Sequence, residues 1–418
     1  MIKLSSVSTR LDQAGLFLLG ALVFVGVFAR GGANITYSLL FLWGIALWIL
    51  SILNRRSPQA NWPPLPPTRW AIGLAAFALT WLVSALAGGN LIAGLKALVS
   101  LLYLLTLPLL VWPIFSRWPD WPSRLRLLWG MGLIVVAFLT FREGGYQLAC
   151  LRAKAYLGII ELGSALGQLI PVMVASLLLA LSTGRRRETA FFVLALAAAC
   201  LALTQNCSRQ SLMAAPALSL LMFWVYRRHF SNKLWWWLLV LAVPLFTLLS
   251  LAGGGDQRFL RTLKFESNPE TASVILNKGD VNRVTLWKHG WDTFLAHPVL
   301  GQGPGSGFQL EAQPGKRKKT VSHTHHVFIN ALAETGLLGF FGFLALHLAP
   351  LSLLWPHRRS RDPETFFWVW AAIAVNLQFV LNGLTDQVFS LKPMMYIHWT
   401  VMAAALWQTQ QPQKEEPE

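Results

Sequence analysis

Long apolar runs limit what this chain can fold into more than any other feature. A membrane-spanning helix needs about 20 mostly apolar residues. Twelve stretches approach that length, near 13–30, 35–53, 70–87, 91–114, 124–141, 161–182, 190–204, 210–226, 234–252, 327–350, 365–382 and 388–408. Lipid offers the backbone no hydrogen-bond partners, so such segments cross as helices that pair their own groups. Composition agrees: 55% of the 418 residues are hydrophobic and 13% are charged, where soluble domains carry about 25% charged residues. A soluble enzyme and a disordered chain are both excluded. The expected fold is an all-α polytopic membrane protein with about twelve transmembrane helices. The first span follows Lys3 and Arg10 with no small-residue cleavage site after it, and reads as an uncleaved signal-anchor. Cys150, Cys200 and Cys207 are too few for a disulfide framework. Twenty tryptophans suit the aromatic belts of a bilayer.

Basic residues give the orientation. Arg55, Arg56 and Arg69, then Arg117, Arg124 and Arg126, then Arg185–Arg187, then Arg227, Arg228 and Lys233, then Arg358, Arg359 and Arg361 fall in alternate loops of a twelve-span chain. By the positive-inside rule that side is cytoplasmic, with both termini. The organisation expected is spans one to nine over 1–252, an outside loop over 253–326, spans ten to twelve over 327–408, and a polar, disordered cytoplasmic tail over 409–418. Residues 57–69 form a proline-rich linker.

The outside should be poor in Lys and Arg, and the loops near 31–34 and 88–90 are short. Two segments depart from this. One is 142–160, with Arg142, Arg152 and Lys154; the other is 253–326, which includes Lys316-Arg317-Lys318-Lys319. Long loops translocate regardless of charge, so the topology stands. The excess charge (+17 overall) fits either an anionic ligand on that face or a loop resting on anionic lipid, and nucleic acid is not the expected partner. Gly303–Gly307 lacks the GK[ST] of a nucleotide loop.

Within the long loop, Asn282–Ala296 reads as a helix carrying Arg283, Trp287 and Trp291 on one face. His297-Pro298 ends it, and a glycine-rich turn follows. Then come His323, His325 and His326, immediately before a span that carries Glu334 and Gly336 in its first turns. Three readings of the histidines stay open. They could bind metal with Glu334 or Asp386, one could act as a general base near neutral pH, or they could be interfacial side chains satisfied by hydrogen bonds.

Taken together, these elements resemble the O-antigen ligase family of bacterial envelope glycosyltransferases. The residues that carry the likeness are Arg283 and Trp287; His297-Pro298 with Gly301, Gly303, Gly305 and Phe308; His323-x-His325-His326; and Ala333-Glu334-Thr335-Gly336. Ser208-Arg209-Gln210-Ser211 is similar to the family's SRG segment. Members usually read His-x-His-Asn, and here His326 stands in the Asn position.

The resemblance implies a fold like that of the C-class glycosyltransferases and a place in the bacterial inner membrane with a periplasmic site. It implies transfer of a glycan from undecaprenyl diphosphate to a sugar hydroxyl of lipid A–core, with inversion, no metal and no cofactor. It gives the base role to His325, with His323 and His326 as second choices. A lipid diphosphate leaving group needs fixed cations when no metal is present, and arginine's planar fork suits phosphate; Arg209 and Arg283 are the candidates. Arg142, Arg152, Lys154, Trp287, Glu334 and Asp386 are expected to line or hold substrate, with membrane lipids as further partners. The alternatives are an O-antigen polymerase, a protein O-oligosaccharyltransferase, whose extra C-terminal region is not expected here, and a transporter of lipid-linked sugars. A transporter would carry charges through its spans and breaks at the midplane, whereas the polar groups here collect at one end, with Lys96 and Glu161 the notable charges within spans.

Overall fold

The computed structural model describes residues 4–53, 66–143, 155–206, 208–230, 283–311 and 318–411. These form nine helices in the first part of the chain: α1 (Leu4–Val25), α2 (Arg30–Leu53), α3 (Thr68–Ala87), α4 (Leu91–Leu105), α5 (Leu107–Arg117), α6 (Trp121–Glu143), α7 (Ile159–Ser182), α8 (Arg186–Asn206) and α9 (Arg209–Tyr226). After them come α10 (Arg283–Ala296), an antiparallel hairpin of β1 (Phe308–Glu311) and β2 (Lys318–Val321), then α11 (Val327–Leu354), α12 (Pro363–Gly383) and α13 (Lys392–Gln408). Among the described residues, seven helical segments are long and apolar enough to cross a membrane, with α4 and α5 counting as one. Every expected span but one coincides with a described helix; the stretch near 234–252 lies outside the described residues.

The hairpin is a departure from the all-helical expectation: the glycine turn and the basic run are joined by strand pairing, with Phe308 opposite Val321 and Glu311 opposite Lys318. The first turn also differs from expectation. The loop expected near 31–34 lies inside α2, and the chain reverses over 26–29 instead. Gly32 is there for close approach, since a Cβ would stand 2.6 Å from Val25. Ala29 forms a parallel bridge to Tyr156, which pins this turn to the chain entering α7.

Apolar faces explain the layering. α7 and α13 are buried along nearly their whole length and form the centre, which matches helices that are apolar on all sides. Around them, α2, α3, α4 and α11 turn Ile35, Leu42, Ile72, Ile92, Phe341 and Leu348 outward. Such exposed apolar rows suit lipid contact. α3 and α11 cross very closely through small residues: a Cβ on Gly73 would meet Ala345 and Ala349 at 2.9 Å, and one on Gly342 would meet Thr80 at 2.0 Å. Small residues permit such packing where lipid removes the hydrophobic drive between helices.

The polar contacts sort by end. At one end Arg117 pairs with Asp12 at 2.9 Å, and Glu364 receives both Arg126 and Arg185 at 3.0 Å. At the other, Arg30 pairs with Glu161 at 2.9 Å, and the glycine turn, the histidines and the α12–α13 turn come together.

Candidate active site

α11 is broken near its start, and the break builds the site. Gly336 takes φ +60°, which interrupts the helical bonding. The chain after α10 fills the gap: Leu337 and Leu338 donate to the carbonyls of Pro298 and Val299 at 2.8 and 3.1 Å, while Gln302 and Gly303 donate to those of Ala333 and Glu334 at 3.0 and 2.9 Å. Backbone groups orphaned by the break are thus satisfied. Gly301 and Gly336 permit this contact; a Cβ on either would lie 2.3 Å from the facing backbone. α3 supports the break from behind, with Ser84 donating to the Thr335 carbonyl at 3.1 Å and Trp81 to that of Gly339 at 3.2 Å. The glycines and the Ala333–Gly336 backbone therefore frame the site.

Glu334 belongs to that framework. It is buried, and its carboxylate accepts hydrogen bonds from the Asn330 side chain and the Gly305 N–H. Asn330 in turn accepts the Thr324 N–H at 3.1 Å, so one chain of bonds runs from the glycine turn to the histidine segment. Sequence reading missed Asn330, although its i, i+4 spacing to Glu334 puts the two on one helix face.

The three histidines have three different places. His326 is the N-cap of α11, its Nδ1 accepting the Ile329 N–H at 3.3 Å. Asn is among the best N-caps, so the His-for-Asn exchange preserves this function. Trp287 meets the His326 ring edge-on at 5.4 Å, while Trp291 points outward at 46% exposure; the shared face expected of α10 thus holds for Arg283 and Trp287 only. His323 packs edge-on against His325, with ring centres 4.3 Å apart. Burial, aided by the neighbouring His325 ring and the Arg283 guanidinium, pulls its pKa down to about 4 against the opposing pull of Asp386. His323 is therefore neutral at pH 7.

His325 is the histidine held by a carboxylate. Its backbone takes φ +54°, a left-handed conformation uncommon for a residue with a Cβ. This turns the ring toward Asp386, with Nδ1 3.2 Å from Oδ1. The Asp386 side chain is 8% exposed and that of His325 is 32% exposed, so a buried acid holds a reachable imidazole. Burial pushes the Asp386 carboxyl up, but hydrogen bonds from His325 and the Gln387 N–H, with the nearby Arg283 charge, outweigh it and hold it below its ordinary value. A proton on Nδ1 facing the carboxylate leaves the Nε2 lone pair available as a base.

Arg283, at the start of α10, donates to the Thr385 carbonyl at 2.7 Å and so stands beside this pair. A guanidinium has five N–H groups, and the rest can serve an anion. The Ser208–Ser211 segment opens α9 at the same end. Gln210 donates to the Asn382 carbonyl at 3.3 Å, the same carbonyl that receives the Asp386 N–H at 2.9 Å, and Ser211 donates to the Gly163 carbonyl at 2.6 Å. The backbone of Arg209 is thereby next to the Asp386 turn; its side chain lies outside the described part. Arg142 is exposed at the end of α6. Arg152, Lys154, Cys150 and Cys207 lie outside the described residues, and Cys200 is a buried free thiol. Among the described residues, no three His, Cys, Asp or Glu side chains are placed to share a metal ion.

Residues 192–344 match the model of the O-antigen ligase family. The match takes in the α9 start, α10, the glycine turn, the histidines and Glu334, while Asp386 lies beyond it. No curated protein sequence matches the chain.

Proposed function

From a chain whose residues 192–344 carry the O-antigen ligase family match, we propose an integral-membrane glycosyltransferase. It moves an O-antigen glycan from undecaprenyl diphosphate to a sugar hydroxyl of lipid A–core on the periplasmic face of the inner membrane. The observation that carries this reading is the Asp386–His325 pair beside Arg283. Asp386 holds His325 with its proton on Nδ1. Nε2 takes the proton of the acceptor hydroxyl as its oxygen bonds to the anomeric carbon. The bond from that carbon to the diphosphate oxygen breaks on the opposite face, inverting the centre, and its electron pair leaves with the diphosphate. Arg283 and Arg209 supply the positive charge that meets the departing oxygens. Lys154, Arg152 and Arg142 add charge for the phosphorylated substrates on the same face.

The test is reconstitution of the purified protein with undecaprenyl-diphosphate glycan and lipid A–core in the presence of EDTA. Glycan attached to lipid A–core is the expected product. Longer lipid-linked glycans alone would make the protein a polymerase, and no chemistry with a verified donor would favour a transporter.

A further inference from the structure

At the end of the bundle away from the histidines, Arg227, Arg228, Arg358 and Arg359 surround one open cavity of about 510 Å³. This volume falls within the roughly 300–1,000 Å³ of small-ligand sites. Three other arginines at this end are paired with acids: Arg117 with Asp12, and Arg126 and Arg185 with Glu364. No carboxylate lines the cavity among the described residues. Burial and the neighbouring Arg359 depress the Arg228 guanidinium, as expected for crowded like charges without a counter-ion.

The guanidiniums lie on aromatic rings: Arg227 over Trp224 at 5.0 Å, Arg228 over Phe366 at 4.4 Å and Arg358 over Trp355 at 4.4 Å. Stacking fixes their planes; Arg228 also donates to His229 and the Ser360 carbonyl, and Arg358 to the Trp355 carbonyl, which leaves their remaining N–H groups for an anion. Trp224 and Trp355 are each more than half exposed. Each also ends an outward apolar row. Met213, Leu220 and Trp224 follow one face of α9, and Phe341, Leu348 and Trp355 follow one face of α11 and its continuation. The cavity therefore opens where two lipid-facing rows end, with α12 between them supplying Phe366 and Trp370.

We propose that this cavity binds the phosphate headgroup of an anionic phospholipid in the leaflet opposite the catalytic site. The arginines take the phosphate, and the apolar rows carry the acyl chains. Charge complementarity and the amphiphilic lining favour a lipid over free phosphate, which would leave the tryptophans and the apolar rows without an occupant.

Native mass spectrometry of the full chain in detergent tests this, with phosphatidylglycerol, phosphatidylcholine and inorganic phosphate as probes. Arg227→Gln/Arg359→Gln removes two exposed charges that make no hydrogen bond within the described structure, so the fold is kept. Each basic residue near an anionic lipid surface contributes about 1 kcal/mol, so phosphatidylglycerol should bind the double variant about thirty-fold more weakly. Arg124→Gln/Arg187→Gln, removing equal charge at the same end, should stay within about twofold of wild type. Phosphatidylcholine should bind weakly, and millimolar phosphate should not displace phosphatidylglycerol. Unchanged binding in the pocket variant, an equal loss in the control variant, or full displacement by inorganic phosphate would each overturn the proposal.

Discussion

Replacing Asp386 separates what its charge does from what its position does. Its Oδ1 accepts both the His325 Nδ1–H at 3.2 Å and the Gln387 N–H at 2.8 Å. An Asn side chain can offer one oxygen to both donors, so Asp386→Asn keeps the ring in place and loses only the charge. Hydrogen bonds to charged groups contribute about 1.5–3 kcal/mol and neutral ones about 0.5–1.5. The difference, about 1.5 kcal/mol, corresponds to roughly a tenfold fall in kcat. Asp386→Ala instead leaves two donors unpaired and the ring unheld, and the fall should exceed about a hundredfold. Single-turnover glycan transfer at saturating donor reads both, and KM for the donor should change little because Asp386 acts through His325. An Asn variant as inactive as the Ala variant would refute the shared-oxygen argument. An Ala variant with wild-type kcat would refute a positioning role altogether.

Other consequences follow from the framework and the histidines. Gly336→Ala should be severely destabilising, because φ +60° with ψ −165° and a Cβ 2.3 Å from the Val299 carbonyl carbon combine; that backbone conformation, open essentially to glycine only, costs about 1–3 kcal/mol by itself. Gly31→Ala, with nothing within 4 Å, should leave the thermal midpoint level or higher. His326→Asn should keep the α11 cap, whereas His326→Ala should cost about 1 kcal/mol in denaturant titration. His323 gives a pH signature. Its folded pKa of about 4 is below the unfolded value of about 6.5, so the unfolded form takes the proton first as pH falls. Stability is full above about 6.5, is lost on descending toward 4, and totals at most about 3 kcal/mol. Protection factors at 323–326, corrected for the intrinsic pH dependence of amide exchange, should fall through that window as the pH drops, and His323→Gln should remove the effect.

Much of this was legible in the sequence because lipid imposes simple rules. Apolar length located the helices, and even the short 190–204 stretch proved to lie in a 21-residue helix. The helix beginning at Arg283 and the crowding of motifs at one end were readable from spacing. What spacing could not supply was division of labour. His323, His325 and His326 look alike in sequence, and only their partners separate a neutral packed ring, a carboxylate-held ring and a helix cap. Glu334 reads in sequence as a substrate or metal group, and spacing could not show that its bonds to Asn330 and Gly305 also tie two segments together. The break at Gly336 was hidden because an apolar helix and a broken one have the same composition, and its repair comes from residues 298–303, some thirty positions earlier. Asp386 drew notice as an acid in a turn, but its pairing with His325 depends on α12 and α13 meeting the histidine segment.

Whether His325 removes the acceptor proton, as proposed, is decided by single-turnover transfer with His325→Gln. The assay uses purified protein, undecaprenyl-diphosphate glycan and lipid A–core with EDTA, with donor binding measured in parallel. The rate should fall by about 10²–10⁴-fold with donor affinity unchanged. A rate within about threefold of wild type would contradict it and remove His325 from the chemistry.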